Sequence, residues 1–138
     1  MERINKYITT ITASFLMLLL ALNLSAQSRD EVLKRLDSIA FDAYEKNSKD
    51  AINKANELLN KSKKSKPSLY TVNAYTLLGI LNKDKGHYIS SLNNYLKALN
   101  VSEKINDTAR ISACYNNIGS IYKLQENYPK ALQYFHKS

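Results

Sequence analysis

The sequence is poor in residues that break helices and in residues that support covalent or loop-based sites. Its 138 residues include three glycines, two prolines and one cysteine. A lone cysteine excludes an intramolecular disulfide, and so few glycines leave no glycine-rich phosphate-binding loop. Valine is scarce, and no segment alternates strictly between apolar and polar residues, as a half-buried strand would. These absences favour an all-α chain.

Acidic residues are also few, with 12 Asp and Glu against 20 Lys and Arg, which gives a net charge of +8. No acid lies between Glu57 and Asp84, and this interval contains a lysine cluster formed by Lys61, Lys63, Lys64 and Lys66. The cluster has two interpretations. It is a docking site for phosphate, an anionic lipid surface or an acidic partner, or it is a solvated linker between helices, as charge runs usually are.

The first 26 residues have the layout of a secretory signal. Arg3 and Lys6 precede an uncharged stretch with an unbroken apolar run over residues 15–22, and the small residue Ala26 stands before Gln27. We therefore expect export to the periplasm or cell envelope, which disfavours nucleic acid as a partner. The alternative is an uncleaved signal anchor, in which case only this N-terminal segment would contact a membrane.

Apolar residues after the signal recur at three- and four-residue intervals, which predicts about six helices. The Ser28 capping box predicts the first start, Ser48 and Asp107 are expected to cap the second and fifth helices, and Gly86 is expected to end the third. The predicted helices cover about 29–45, a segment after Ser48 carrying Ala51 to Leu59, 68–85, 88–106, 108–125, and a segment beginning at Tyr128-Pro129.

The chain also matches itself at an offset of forty residues. The matched pairs are Tyr75 and Tyr115, Gly79 and Gly119, Lys83 and Lys123, Tyr88 and Tyr128, Leu92 and Leu132, and Lys97 and Lys137. In the first helix pair, only the second helix matches at this offset. The first helix of that pair aligns only if a gap is introduced. Helix pairs that repeat at this interval predict a solenoid with an atypical terminal repeat.

Two of the three glycines fall inside predicted helices, at Gly79 and Gly119, where glycine costs about 1 kcal/mol relative to alanine. We interpret both as points of close approach between paired helices. The absent side chain would leave room for the bulky residues of the following helix, which are Tyr88, Tyr95, Tyr128 and Phe135. The glycines are thus predicted to be structural.

The motif Tyr115-x2-Ile118-Gly119-x2-Tyr122, followed by Ala131-x3-Phe135, resembles the tetratricopeptide repeat (TPR) family. The resemblance covers residues 68–138 well and 29–66 poorly. The period is 40 rather than the usual 34, the closing proline is missing, and Glu126 replaces the glycine seen at Gly86. This variant resembles exported bacterial TPR proteins and the TPR input regions of signalling proteins.

The resemblance implies an all-α, right-handed solenoid of antiparallel helix pairs. The chain is therefore expected to divide into four segments. These are a signal over 1–26, a degenerate helix pair with a lysine-rich linker over 27–66, a repeat over 67–106, and a truncated repeat over 107–138. Truncation is expected to leave Ile118, Tyr122, Leu132 and Phe135 partly open to water, and so to promote self-association through this last repeat.

No catalytic constellation is present. His87 and His136 lie in separate repeats, and no spacing suits a metal. Cys114 shares a face with Ile118 and Ile121, which predicts a buried, unreactive thiol. We therefore expect a chain that is not an enzyme and that has no cofactor.

In TPR proteins the first helix of each pair lines a groove, and the resemblance implies the same here for a peptide or a partner helix. The expected groove residues are Asn73, Thr76, Ile80, Lys83, Ser112, Asn116, Ser120 and Lys123. The alternative is an ordinary polar face. The lysine by which some TPR domains clamp a C-terminal carboxylate is absent, because Thr76 and Asn116 occupy its place.

The sequence is compatible with two functions. The chain is either an exported protein-interaction module or the input region of a membrane-bound signal transducer, such as a histidine kinase or a transcription regulator. The reading frame beyond Ser138 would discriminate between them. A membrane helix followed by an effector domain would indicate the transducer.

Overall fold

The computed structural model describes residues 2–64 and 67–138, and the side chains of residue 12, residues 14–64 and residues 67–138. Lys66 of the lysine cluster lies outside these residues. Two compact units are present, one ending at Val32 and one covering Leu33–Ser138. The second unit contains every site discussed below.

Helix α1 (Glu2–Glu45) is continuous through the predicted signal and the predicted first helix. The expected start near residue 29 is therefore wrong. Residues 2–45 contain no glycine or proline, so nothing interrupts the helix at the Ser28 capping box. In the first unit, the apolar run from Phe15 to Leu22 is solvent-exposed. Within the described part of the chain, no helix has the length and hydropathy needed to cross a bilayer.

Five shorter helices follow, and the described residues form no strand, which confirms the all-α prediction. Successive helices from α2 onwards pack against each other, and α3 also contacts α5, as expected for a solenoid. Their bounds are α2 (Ala51–Ser62), α3 (Leu69–Asp84), α4 (Tyr88–Lys104), α5 (Thr108–Leu124) and α6 (Tyr128–Phe135).

Side-chain caps begin two of these helices. The Asp107 carboxylate accepts the Arg110 backbone N–H at 3.1 Å, and the Asn127 side chain accepts the Lys130 backbone N–H at 3.3 Å. The expected Ser48 cap on α2 is wrong, since Asp50 occupies the N-cap position. The Ser48 hydroxyl instead accepts the Asp50 backbone N–H within the preceding turn.

The turns that end α1, α3, α4 and α5 share one backbone conformation. Asn47, Gly86, Asn106 and Glu126 all have positive φ, between 49° and 74°. At Gly86 two hydrogen bonds close the turn, from the Gly86 N–H to the Lys83 carbonyl and from the next N–H to the Asn82 carbonyl. The same pair of bonds forms around Glu126. The turn is therefore kept even though the last repeat lacks the glycine.

We expect the substitution Glu126→Gly to raise the free energy of unfolding by about 0.5–1 kcal/mol. A side chain in this left-handed conformation costs about 1–2 kcal/mol, part of which the greater freedom of glycine in the unfolded chain offsets. Denaturant titration would measure the change. The control is Gln125→Gly, whose φ of −89° needs no glycine, and which should destabilise the chain. An unchanged or lower stability of Glu126→Gly would contradict the prediction.

The two helical glycines are points of close approach, as predicted. A Cβ atom on Gly79 would lie 2.5 Å from Cε1 of Tyr95, and one on Gly119 would lie 2.8 Å from Cδ1 of Phe135. Both distances are too short for carbon atoms. The expectation for Tyr128 is wrong, because its side chain is 62% exposed, whereas Tyr95 is 1% exposed.

The positions of the turns and of the buried residues explain why the first helix of the first repeat aligns with the later repeats only through a gap. The left-handed residues Asn47 and Gly86 are one position closer than the 40-residue period, so α1 matches α3 at an offset of 39. This offset pairs the fully buried Ala40 with Gly79. In the second helices the 40-residue offset holds, and Ser62 and Ser102 are both fully buried. Ser62 ends α2, so the linker begins later than predicted.

The last repeat is less open than expected. Ile118 is fully buried, so its predicted exposure is wrong, because α5 packs against both α4 and α6. Tyr122 and Phe135 are half-buried, and Leu132 is 58% exposed. Self-association through this repeat stays a prediction.

Candidate functional site

A cavity of about 440 Å³ lies between α1 and α3. From α3 it is lined by Asn73, Thr76, Leu77 and Ile80, and from α1 by Lys34, Asp37, Ser38 and Phe41. The volume lies within the range of ligand-binding pockets. Three of the eight predicted groove residues, all on α3, therefore line one cavity.

A polar link crosses this cavity. The Asn73 side-chain amide donates a hydrogen bond of 2.8 Å to Oδ2 of Asp37, which joins α3 to α1. Burial raises the pKa of the Asp37 carboxyl, and the Asn73 hydrogen bond and the charge of Arg110 oppose that rise. Neither Asp37 nor Arg110 was among the residues predicted from the sequence.

Arg110 brings a positive charge from α5 to the same face. Its Nε is buried without a hydrogen-bond partner among the described residues and lies 3.6 Å from Oδ2 of Asp107. Asp37, Asn73 and Arg110 thus belong to the first helices of the three successive pairs. This face, formed by α1, α3 and α5, is called the first-helix face below.

The cavity combines an apolar floor with polar edges. Leu77 is buried, Ile80 is half-buried, and the ring of Phe41 is 52% exposed. Hydroxyl groups of Ser38 and Thr76 and the Asp37–Asn73 pair supply donors and acceptors beside these apolar surfaces. Such a surface can hold an apolar side chain while hydrogen-bonding the backbone that carries it.

The other predicted groove residues lie outside the cavity lining. Lys83 is half-buried, with Nζ 3.6 Å from Oδ1 of its neighbour Asp84. On α5, Ser112 is half-buried, Asn116 and Lys123 are exposed, and the Ser120 hydroxyl donates to the Asn116 carbonyl at 3.0 Å. None of these five side chains lines the cavity together with Asn73, Thr76 and Ile80.

Sequence reasoning missed the four lining residues on α1. The signal that would have found them is the 39-residue offset fixed by the turns. It pairs Lys34 with Asn73, Asp37 with Thr76, and Phe41 with Ile80. The predicted groove residues on α3 therefore have counterparts on α1.

The cysteine and histidine side chains that could support catalysis or metal binding do not form a site. Cys114 is 2% exposed, as predicted, and burial raises the pKa of its thiol, which opposes thiolate formation. His87 and His136 are exposed. Within residues 2–64 and 67–138, no three His, Cys, Asp or Glu side chains form a group suited to a metal ion.

Residues 70–138, which are half of the chain, match the family model of the tetratricopeptide repeat. The chain belongs to the tetratricopeptide repeat family. TPR repeats generally mediate protein–protein interaction and are typically non-catalytic. A comparison with curated proteins found no match. The aromatic and glycine positions that carried the sequence resemblance all lie within the matched residues.

Proposed function

We propose that this TPR chain is an exported, non-catalytic interaction module that binds a peptide or a partner helix on its first-helix face. The observation that carries the proposal is the cavity between α1 and α3, where Asn73, Thr76 and Ile80 meet Asp37 and Phe41. Export rests on the signal-like layout of residues 1–26.

The composition of the cavity favours a ligand segment with an apolar side chain. The half-exposed Phe41 ring and Ile80 offer apolar surface that binding would remove from water, at about 25 cal/mol per Å². Asp37 and Asn73 already satisfy each other at one oxygen and one amide hydrogen. Their remaining acceptor and donor capacity is suited to the N–H and C=O groups of an extended backbone.

The predicted groove residues on α5 would lengthen this surface. Ser112, Asn116 and Lys123 continue the same helical register one repeat further on, and Arg110 adds positive charge on the first-helix face. A ligand that also reaches Lys123 on α5 would therefore favour an acidic residue at that end.

A peptide-display selection on the full chain tests the proposal. Selected peptides should lose about tenfold or more in affinity when Phe41 is replaced by alanine, because a central apolar anchor usually dominates binding. Asn73→Ala should weaken binding through the lost backbone contact. Asn116→Ala, one repeat away, should cost only about two- to threefold.

The matched control is Ile89→Ala, which removes an apolar side chain that is 75% exposed on α4, outside the cavity. This variant should bind the selected peptides as the native chain does. Selected peptides that bind Phe41→Ala and Asn73→Ala at full strength would overturn the proposed site. Peptides whose binding depends on Ile89 would place the interaction on another face.

A further inference from the structure

A second cavity, of about 510 Å³, is lined by the end of α2, the start of α3, and α4, and it shares no lining residue with the cavity between α1 and α3. Its lining includes three lysines, Lys63, Lys97 and Lys104, and none of its described lining residues carries a carboxylate. This arrangement gives the cavity a locally uncompensated positive charge. It is called the lysine cavity below.

Two of these lysines converge on one aromatic ring. The Nζ of Lys63 lies 5.2 Å from the ring centre of Tyr75, and the Nζ of Lys97 lies 5.8 Å from the same centre. The ring attracts each ammonium group, so it holds two like charges at one site. Neither lysine forms an ion pair within the described residues, so an anion bound beside the ring would supply the missing counter-charge.

The rest of the lining is suited to an organic anion. The amides of Asn93 and Asn100 supply neutral hydrogen-bonding groups near the lysines, and Leu96 and Val101 supply apolar surface. Among the described lining residues, the basic side chains are all lysines. Lysine is a common phosphate ligand, which it binds as a point charge with three N–H donors.

The following repeat provides an internal comparison. Lys137 lies 5.8 Å from the ring centre of Tyr115, which repeats the Lys97–Tyr75 contact forty residues later. At the position corresponding to Lys63, however, the next repeat has Glu103. The pairing of two lysines over one tyrosine is therefore a feature of this location and does not follow from the repeat itself.

We propose that the lysine cavity binds a phosphate ester with an apolar body. Lys63 and Lys97 bind the phosphate beside the Tyr75 ring, and Lys104 adds positive charge. Leu96 and Val101 contact the organic part. This assigns part of the lysine cluster to a binding site that shares no lining residue with the cavity between α1 and α3.

The test is fluorine NMR of para-fluorophenyl phosphate titrated with the full chain. We expect saturable binding that weakens at high ionic strength, and inorganic phosphate or para-fluorophenol alone should bind at least about tenfold more weakly. Lys63→Gln and Lys97→Gln should each weaken binding about tenfold. Lys137→Gln removes the equivalent lysine–tyrosine contact outside the cavity and should leave the affinity unchanged.

Two outcomes would overturn the proposal. One is the absence of saturable binding, and the other is equal weakening by Lys137→Gln and Lys97→Gln.

Competition with vesicles then identifies the source of the phosphate. Displacement of the probe by phosphatidylglycerol vesicles, but not by phosphatidylcholine vesicles, would indicate a lipid headgroup. Retention of the probe in the presence of both would indicate a soluble phosphate ester.

Discussion

Replacing Gly79 with leucine should lower the free energy of unfolding by about 3 kcal/mol, the upper end of typical overpacking effects. Even the first added carbon would lie 2.5 Å from Cε1 of Tyr95 and 2.9 Å from its Cζ. The ring cannot move aside easily, because Tyr95 is 1% exposed and lies in the middle of α4. The backbone is also fixed, since the buried Ser91 hydroxyl donates to the Gly79 carbonyl at 2.7 Å.

The equivalent substitution Gly119→Leu should have a smaller effect, about 1–2 kcal/mol. Its added carbon would meet Phe135, which is half-buried in the last turn of α6 and has more freedom to shift. Denaturant titrations of both variants would measure the difference. Asn116→Leu is the control, because Asn116 is exposed in the interior of α5 and should tolerate leucine within about 0.5 kcal/mol.

A double substitution isolates the contact. If the Tyr95 ring causes the loss, Gly79→Ala combined with Tyr95→Leu should be less destabilising than the sum of the single changes. In the first repeat, Ala40 occupies the position that matches Gly79, and Ala55 occupies the position that matches Tyr95. Both alanines are fully buried. A Gly79→Leu variant that is as stable as the native chain would show that the glycine is no packing contact.

Stability should also fall at high pH because of Tyr95. Burial raises the pKa of this phenol to about 12, with the charge of Asp84 adding to the rise and a Ser91 hydrogen bond opposing it. The folded state therefore retains a proton that the unfolded state loses near pH 10. The stabilisation is complete below about pH 10 and is lost as the pH rises towards 12, by about 2–3 kcal/mol in all.

The measurement compares the pH dependence of unfolding for the native chain and for Tyr95→Phe. The variant lacks the ionisable group, so its stability should decline less steeply between about pH 10 and 12. Tyr128→Phe is the matched control, because it removes a phenol hydroxyl from a side chain that is 62% exposed. Parallel profiles for the native chain and Tyr95→Phe would contradict the prediction.

The sequence alone determined the helical architecture. Apolar residues at three- and four-residue spacing placed α3 to α6 to within a few residues, and Asp107 and Gly86 marked a start and an end correctly. The internal match at forty residues identified the repeat and the role of Gly79 and Gly119. These features depend on local periodicity and backbone preference, which are readable along the chain.

Other features were decided by tertiary structure. The one-residue difference in the first repeat concealed Asp37 and Phe41, because the register of α1 is fixed by a turn at Asn47 that sequence spacing did not reveal. The turn at Glu126 needed no glycine, since two backbone hydrogen bonds hold it.

The role of the lysine cluster was likewise decided by tertiary structure. Its spacing in sequence favoured a solvated linker over a binding site. Packing of α2, α3 and α4 places Lys63 and Lys97 over one tyrosine ring, although they are separated by an entire helix in sequence. Sequence periodicity determines which face of each helix is buried, but only the packed helices decide which exposed side chains from different helices meet, because that depends on turn geometry and on interhelical distance.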